Sequence, residues 1–198
     1  MKIIGLTGPS GAGKGYCYPL FESLGIACID TDDVYHKLLV PPSDCVNELV
    51  SEFGETILTE NGGVNRKELA NIVFSDETRQ KLGKLNQITH KFVLKRTHEL
   101  IAENQDSIAV VIDAPLLFEA DFDKFCDFTI AVICDSKMRL DRIMKRDSIS
   151  EEAALMRIGS QPTDDFYTTK ATYSVCNDGN RACLEQKLNS ILKKENII

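Results

Sequence analysis

Residues 2–14 read KIIGLTGPSGAGK, an apolar, β-branched run that passes without a break into a glycine-rich turn ending in lysine. The turn has the spacing Gly8-x4-Gly13-Lys14, and a helical pattern follows it. A strand, a glycine-rich loop and a helix in that order bring successive backbone amides and a helix N-terminus onto one anionic ligand. Gly8, Ser10, Gly11, Ala12, Gly13, Lys14, Gly15 and Tyr16 are therefore the candidate contacts to nucleotide phosphate, with Lys14 reaching the β- and γ-phosphates. Four more short runs have the character of the first: IACID (26–30), IAVVID (108–113), FTIAVI (128–133) and TYSVC (172–176). They are apolar on both faces, as strands of a parallel sheet covered on each side are. Alternation with helical segments predicts an α/β, doubly wound, five-stranded parallel sheet whose ligands gather at the carboxyl ends of the strands.

The second and third runs are too far apart for one crossover. The interval shows helical periodicity at Val46, Leu49, Val50 and Phe53, at Leu69, Ile72 and Val73, and at Leu82, Leu85, Ile88, Phe92 and Val93. The division this predicts is a nucleotide-binding core of residues 1–32 and 105–198, containing a lid at about 136–170, and a helical substrate domain of residues 33–104.

Composition narrows the ligand. At 198 residues and a net charge of −7, the chain lacks the clustered positive charge that nucleic-acid binding needs. The seven cysteines form no C-x-x-C pair and no zinc-like spacing with the three histidines, which predicts reduced thiols in a cytoplasmic protein. There is no apolar run of membrane-spanning length and no leader pattern at the N-terminus. The partners expected are small molecules, with no nucleic acid and no membrane, and the chain is expected to be a monomer or weak homo-oligomer.

Three further stretches carry chemistry. IDTDDVYH (29–36) places Asp30, Asp32 and Asp33 at a strand's carboxyl end, where one carboxylate can orient Mg²⁺ through water and Asp32 can accept a proton from an attacking hydroxyl. The alternative is a helix N-cap formed by Thr31 or Asp32. DAPLLFEA (113–120) gives Asp113 the position of a metal-orienting carboxylate and predicts that Leu116 and Leu117 line a substrate wall or pack in the core. SKMRLDRIMKRD (136–147) puts Arg139, Arg142 and Arg146 on one helix face, suited to clamp a transferring phosphate from a lid. Position 15 is the anomaly: a phosphate loop normally offers Mg²⁺ a serine or threonine hydroxyl there, and this chain has glycine. Pro19 is expected to kink the helix that follows.

GAGKG (11–15) resembles the phosphate loop of adenylate kinases, which also place glycine after the lysine. The ordered set GLTGPSGAGKG, IDTDDVYHKLL, NRKELANIVFSDETRQKLGKLNQITH, DAPLLFEA, RIMKRD, RIGSQ and K-A-x-Y-x-V-x-N-x-G (170–179) resembles the dephospho-CoA kinase family over nearly the whole chain. The resemblance implies a phosphate-loop kinase fold, transfer of the ATP γ-phosphate to the 3′-hydroxyl of dephospho-CoA, and ATP with Mg²⁺ as cofactors. It implies Asp32 as catalytic acid–base residue, Arg142 and Arg146 as lid arginines, His90 on the substrate side and Asn177 near the adenine. Gly15, and Lys91 where the family usually has proline, depart from its pattern. A nucleoside monophosphate kinase is the nearest alternative, and a catalytically impaired nucleotide-binding relative is another. A GTPase is disfavoured because no N-K-x-D sequence occurs.

Overall fold

The computed structural model describes all 198 residues. The five apolar runs form β1 (Lys2–Thr7), β2 (Ala27–Asp30), β3 (Ala109–Asp113), β4 (Phe128–Ile133) and β5 (Tyr173–Cys176), each beginning within one residue of the expected position. They make one parallel sheet in the order β2-β3-β1-β4-β5. β1 is central, with Ile4 opposite Val111 on one side and Phe128 on the other. Chain order reverses across β1, since β2 and β3 lie to one side of it and β4 and β5 to the other. A doubly wound sheet opens its ligand crevice outside the strand ends at such a reversal. The glycine-rich loop leaves from the carboxyl end of β1.

The sheet's two faces are buried for different reasons. On one, Ile4, Leu6, Val111, Ile130 and Val132 pack with Phe21 of α1 (Tyr18–Ser23) and Leu184, Leu188 and Leu192 of α9 (Arg181–Lys194). On the other, Gly5 leaves room for Leu117 and Thr129, whose atoms lie 2.9 and 3.0 Å from where a Cβ would stand. Leu117 is fully enclosed there, whereas Leu116 is half exposed, so of the two leucines considered for a substrate wall one belongs to the core.

Residues Met1–Ile29 with Asn104–Ile198 form one compact unit and Asp30–Glu103 a second. The second unit consists of α2 (Thr31–Leu38), α3 (Asp44–Phe53), α4 (Arg66–Phe74) and α5 (Gln80–Glu103). Its own core holds Leu39, Leu49, Ile57, Leu69, Val73 and Ile88. Leu49, Leu69, Val73 and Ile88 are among the apolar positions that recur at helical spacing.

The kink expected at Pro19 is absent. Lys14–Tyr16 form a single 3-10 turn, and α1 starts afresh at Tyr18 with Pro19 in its first turn. The amide that proline lacks falls among those that have no intrahelical partner in any case, so the helix is split rather than bent. Replacing Pro19 with alanine should therefore change unfolding free energy by no more than about 1 kcal/mol. Denaturant titration checks this, and a loss of about 3 kcal/mol or more would mean that the split depends on the proline.

Candidate functional site

The loop's shape depends on glycine at Gly8, Gly11 and Gly13, all with positive φ, and the closest approaches are at the first and last. Gly8 has φ +142°, and a Cβ on it would stand 2.1 Å from the Val132 carbonyl oxygen of β4. Gly13 has φ +93°, and a Cβ there would stand 2.4 Å from Asn177 Nδ2. With those contacts closed, the loop's carbonyls are tied from behind. Arg139 Nε donates to Ser10 O at 3.1 Å, Arg142 Nη1 to Gly11 O and Ala12 O at 3.3 Å each, and Asn177 Nδ2 to Ala12 O at 2.8 Å. Because a trans peptide points its N–H opposite to its C=O, holding the Ser10 and Ala12 carbonyls turns the Gly11 and Gly13 amides the other way. Ala12 and Tyr16 amides bond within the loop, and Ser10 N donates to Gln161 Oε1 at 3.0 Å. The amides of Gly11, Gly13, Lys14 and Gly15 have no protein acceptor, which leaves them as donors for a phosphate.

One lysine and one carboxylate flank these donors. Lys14 Nζ lies 3.2 Å from Gly8 O and 3.8 Å from Asp113 Oδ1, and little of its side chain is exposed. Asp113 ends β3, is buried, and accepts a hydrogen bond from the Tyr18 hydroxyl at 2.9 Å on Oδ2. Behind the loop, burial first and the Asp113 charge second push the Cys17 thiol up to about 12, so it stays protonated and is no nucleophile.

The three arginines expected on one face belong to α6 (Ser136–Asp147) and divide into two roles. Arg139 is buried; beyond Ser10 O it reaches Asp164 at 3.2 Å and Gln161 Oε1 at 3.3 Å. Arg142 bonds the two loop carbonyls, Cys134 Sγ at 3.1 Å and Asn177 O at 3.2 Å. Both guanidiniums are spent on holding the loop. Arg146 is exposed; it donates to Ser10 Oγ at 3.1 Å and grips the Asp147 carboxylate at 2.8 and 3.0 Å. Arg157 of α7 (Glu151–Gly159) meets the same carboxylate. The Arg146 hydrogen bond is the main reason that the Asp147 carboxyl sits below its usual range, with Arg157 adding to it. That pairing is complete above the ordinary carboxylate pKa and is lost only as pH falls through the lowered value, so it is constant across neutral pH.

Asn177 is buried with its amide on Ala12 O. Arg157, Gln161 and Tyr18 were not singled out. The first two lie in the RIGSQ stretch, in the last turn of α7 and just beyond it, whereas nothing local marks Tyr18.

In the second unit, Asp30 caps α2: its Oδ1 accepts from Asp32 N at 2.8 Å and Asp33 N at 3.3 Å. The cap is thus Asp30, not Thr31 or Asp32, and this carboxylate considered for metal is engaged by helix amides. Asp33 pairs with Lys37 at 2.6 Å one turn on, and Asp32 lies next to Asp33 in the first turn of α2. His90 lies on α5 half-buried, and loss of water holds its imidazole below the usual pKa, so it is neutral at pH 7.

The profile of the dephospho-CoA kinase family matches residues 2–182. Dephospho-CoA kinase of Lactobacillus johnsonii is 34% identical over 195 residues, 97% of each chain. That of Fusobacterium nucleatum is 37% identical over 188 residues, 95% of each chain. Among solved structures, dephospho-CoA kinase from Campylobacter jejuni has a TM-score of 0.69 at 26% identity, covering 97% of this chain and 96% of that one. A protein from Thermus thermophilus has a TM-score of 0.82 at 27% identity, covering 98% and 97%. Shikimate kinase from Acinetobacter baumannii, 16% identical with a TM-score of 0.53, shares the fold.

The division among the arginines gives a paired expectation. Arg142→Ala strips donors from Gly11, Ala12 and Asn177 carbonyls and should cost about 1–3 kcal/mol of stability, while weakening nucleotide binding. Arg146→Ala, at an exposed position, should stay within about 0.5 kcal/mol of the parent. Thermal unfolding with and without ATP separates the two; equal midpoints would mean that Arg142 does not brace the loop.

Proposed function

The chain belongs to the dephospho-CoA kinase family, and we propose that it transfers the γ-phosphate of ATP to the 3′-hydroxyl of dephospho-CoA, leaving coenzyme A and ADP. The observation that carries this reading is the set of four amides without a protein acceptor in the loop after β1, with Lys14 beside them, which suits the phosphates of a nucleotide. Lys14 turns from the Gly8 carbonyl to the β- and γ-phosphates. Arg146, poised at Ser10 on an exposed and adjustable side chain, meets the charge on the transferring group, and Arg142 acts by keeping the loop in shape. Asp32 takes the proton of the attacking hydroxyl, a contribution of about 10²–10⁴-fold in rate. His90, uncharged at pH 7, and Leu116 serve the acceptor substrate, and Tyr16 and Asn177 border the nucleotide. The seven free thiols suit a cytoplasmic enzyme.

The residues present fit a magnesium ion that arrives with the nucleotide. No group of three His, Cys, Asp or Glu side chains could hold a metal by itself, while Asp113 offers a hard carboxylate beside the loop. Mg²⁺ keeps most of its waters and takes one or two carboxylates plus substrate phosphates, so this set is sufficient for it. When bound it neutralises charge shared by the β- and γ-phosphates.

Purified protein with ATP and Mg²⁺ should release ADP on addition of dephospho-CoA and not on addition of AMP; turnover with AMP alone would replace this assignment by a nucleoside monophosphate kinase. Arg146→Ala should lower kcat by on the order of 10³-fold with a smaller effect on ATP affinity. Asp32→Asn should bind both substrates and turn over about 10²–10⁴-fold more slowly, with Asp33→Asn milder because Asp33 already pairs with Lys37. Equal losses in the two aspartate variants would move the proton acceptor away from Asp32.

A further inference from the structure

Gly15 could be a serine as far as the backbone and packing are concerned. A Cβ built there meets nothing within 4 Å, and the residue does not have the left-handed φ of Gly8, Gly11 and Gly13. The hydroxyl that phosphate loops usually present to magnesium has therefore been given up at a position with room for it. Of the next two residues, Tyr16 is exposed with its ring beside Gly13, and Cys17 is fully buried as a protonated thiol. Neither presents a hard oxygen to the Asp113 carboxylate.

Tyr18 does. Lys14–Tyr16 form a 3-10 turn that ends at Cys17, and Tyr18 is the first residue of the helix that follows it. The restart of the chain as α1 at that residue sends the phenol to Asp113, where its hydroxyl donates to Oδ2 at 2.9 Å while Lys14 Nζ lies 3.8 Å from Oδ1. A carboxylate held on one oxygen by a neutral donor and approached on the other by a cation has one orientation. Partners that fix a metal-orienting carboxylate in this way matter nearly as much as the metal's direct ligands, and their loss costs about 10–100-fold in metal affinity.

We propose that Tyr18 is the positioning residue for the magnesium ion that accompanies ATP: by fixing Asp113 it performs the task that a hydroxyl at position 15 performs in other phosphate loops. The inference rests on the reading of the loop as an ATP site. It differs from that reading in what it requires, because it predicts a defect in metal affinity separable from nucleotide affinity.

The test is binding of Mn²⁺, a paramagnetic substitute for Mg²⁺, to the complex of the protein with a non-hydrolysable ATP analogue, followed by electron paramagnetic resonance. Calorimetry of the analogue without metal runs in parallel. Tyr18→Phe keeps the ring and removes the hydroxyl; it should weaken Mn²⁺ binding about tenfold and leave metal-free analogue affinity within about twofold. Gly15→Ser introduced into Tyr18→Phe should recover most of the loss, a rescue that a merely structural tyrosine would not permit. Gly15→Ser alone should tighten Mn²⁺ by no more than about twofold, since Tyr18 already fulfils the role. Wild-type Mn²⁺ affinity in Tyr18→Phe, equal losses with and without metal, or about tenfold tightening in Gly15→Ser alone would each overturn the proposal and leave the ATP site standing. Failure of the unmodified protein to bind the analogue at all would overturn both.

Discussion

Two arginines and an asparagine pull the carbonyls of Ser10, Gly11 and Ala12 backwards, and the phosphate site depends on that pull. Planar peptides couple the two sides of a loop: what is tied behind decides what points forward. An acidic chain can in this way build a strongly anion-attracting surface from partial charges on backbone amides, with a single lysine beside them. The tethers come from α6 and from the end of β5, elements more than a hundred residues away in sequence, so the loop is shaped only when the sheet has assembled β4 beside β1 and β5 beside β4.

The basic helix therefore does two things with one sequence pattern. Its inner arginines, Arg139 and Arg142, are locked by several hydrogen bonds each and support the loop. Arg146 keeps a long exposed side chain paired with Asp147, which it shares with Arg157. An ion pair whose guanidinium is largely in water gives little to stability. Rigidity at the loop and adjustability at the arginine follow from the same helix because burial differs by position along it.

The strands were legible because parallel strands covered on both faces leave an unmistakable mark, runs of apolar β-branched residues bounded by turn residues. The loop was legible because Gly8 and Gly13 are demanded by contacts 2.1 and 2.4 Å away that admit no side chain. The arginine face was read correctly as a face, since 3.6-residue periodicity puts positions 139, 142 and 146 together. Its division into braces and a free end was not, because that depends on how far each side chain travels before it meets the loop. Pro19 misled for a related reason: one residue's effect on a helix depends on where the helix starts, and a 3-10 turn moved that start to Tyr18.

The sequence by itself determined the parallel sheet, the phosphate loop and the family, since each is written in local spacing and composition that any fold of this chain must satisfy. Tertiary structure alone decided which polar groups face a ligand and which face the protein. It gave Asp30 to the amides of α2, Leu117 to the space over Gly5, and Asn177 to the carbonyl of Ala12. It also brought Tyr18 to Asp113 across 95 positions of sequence. A hydrogen bond between residues so far apart leaves no trace in spacing or composition, because it exists only once β1 and β3 lie side by side and the chain after Gly15 has turned toward them.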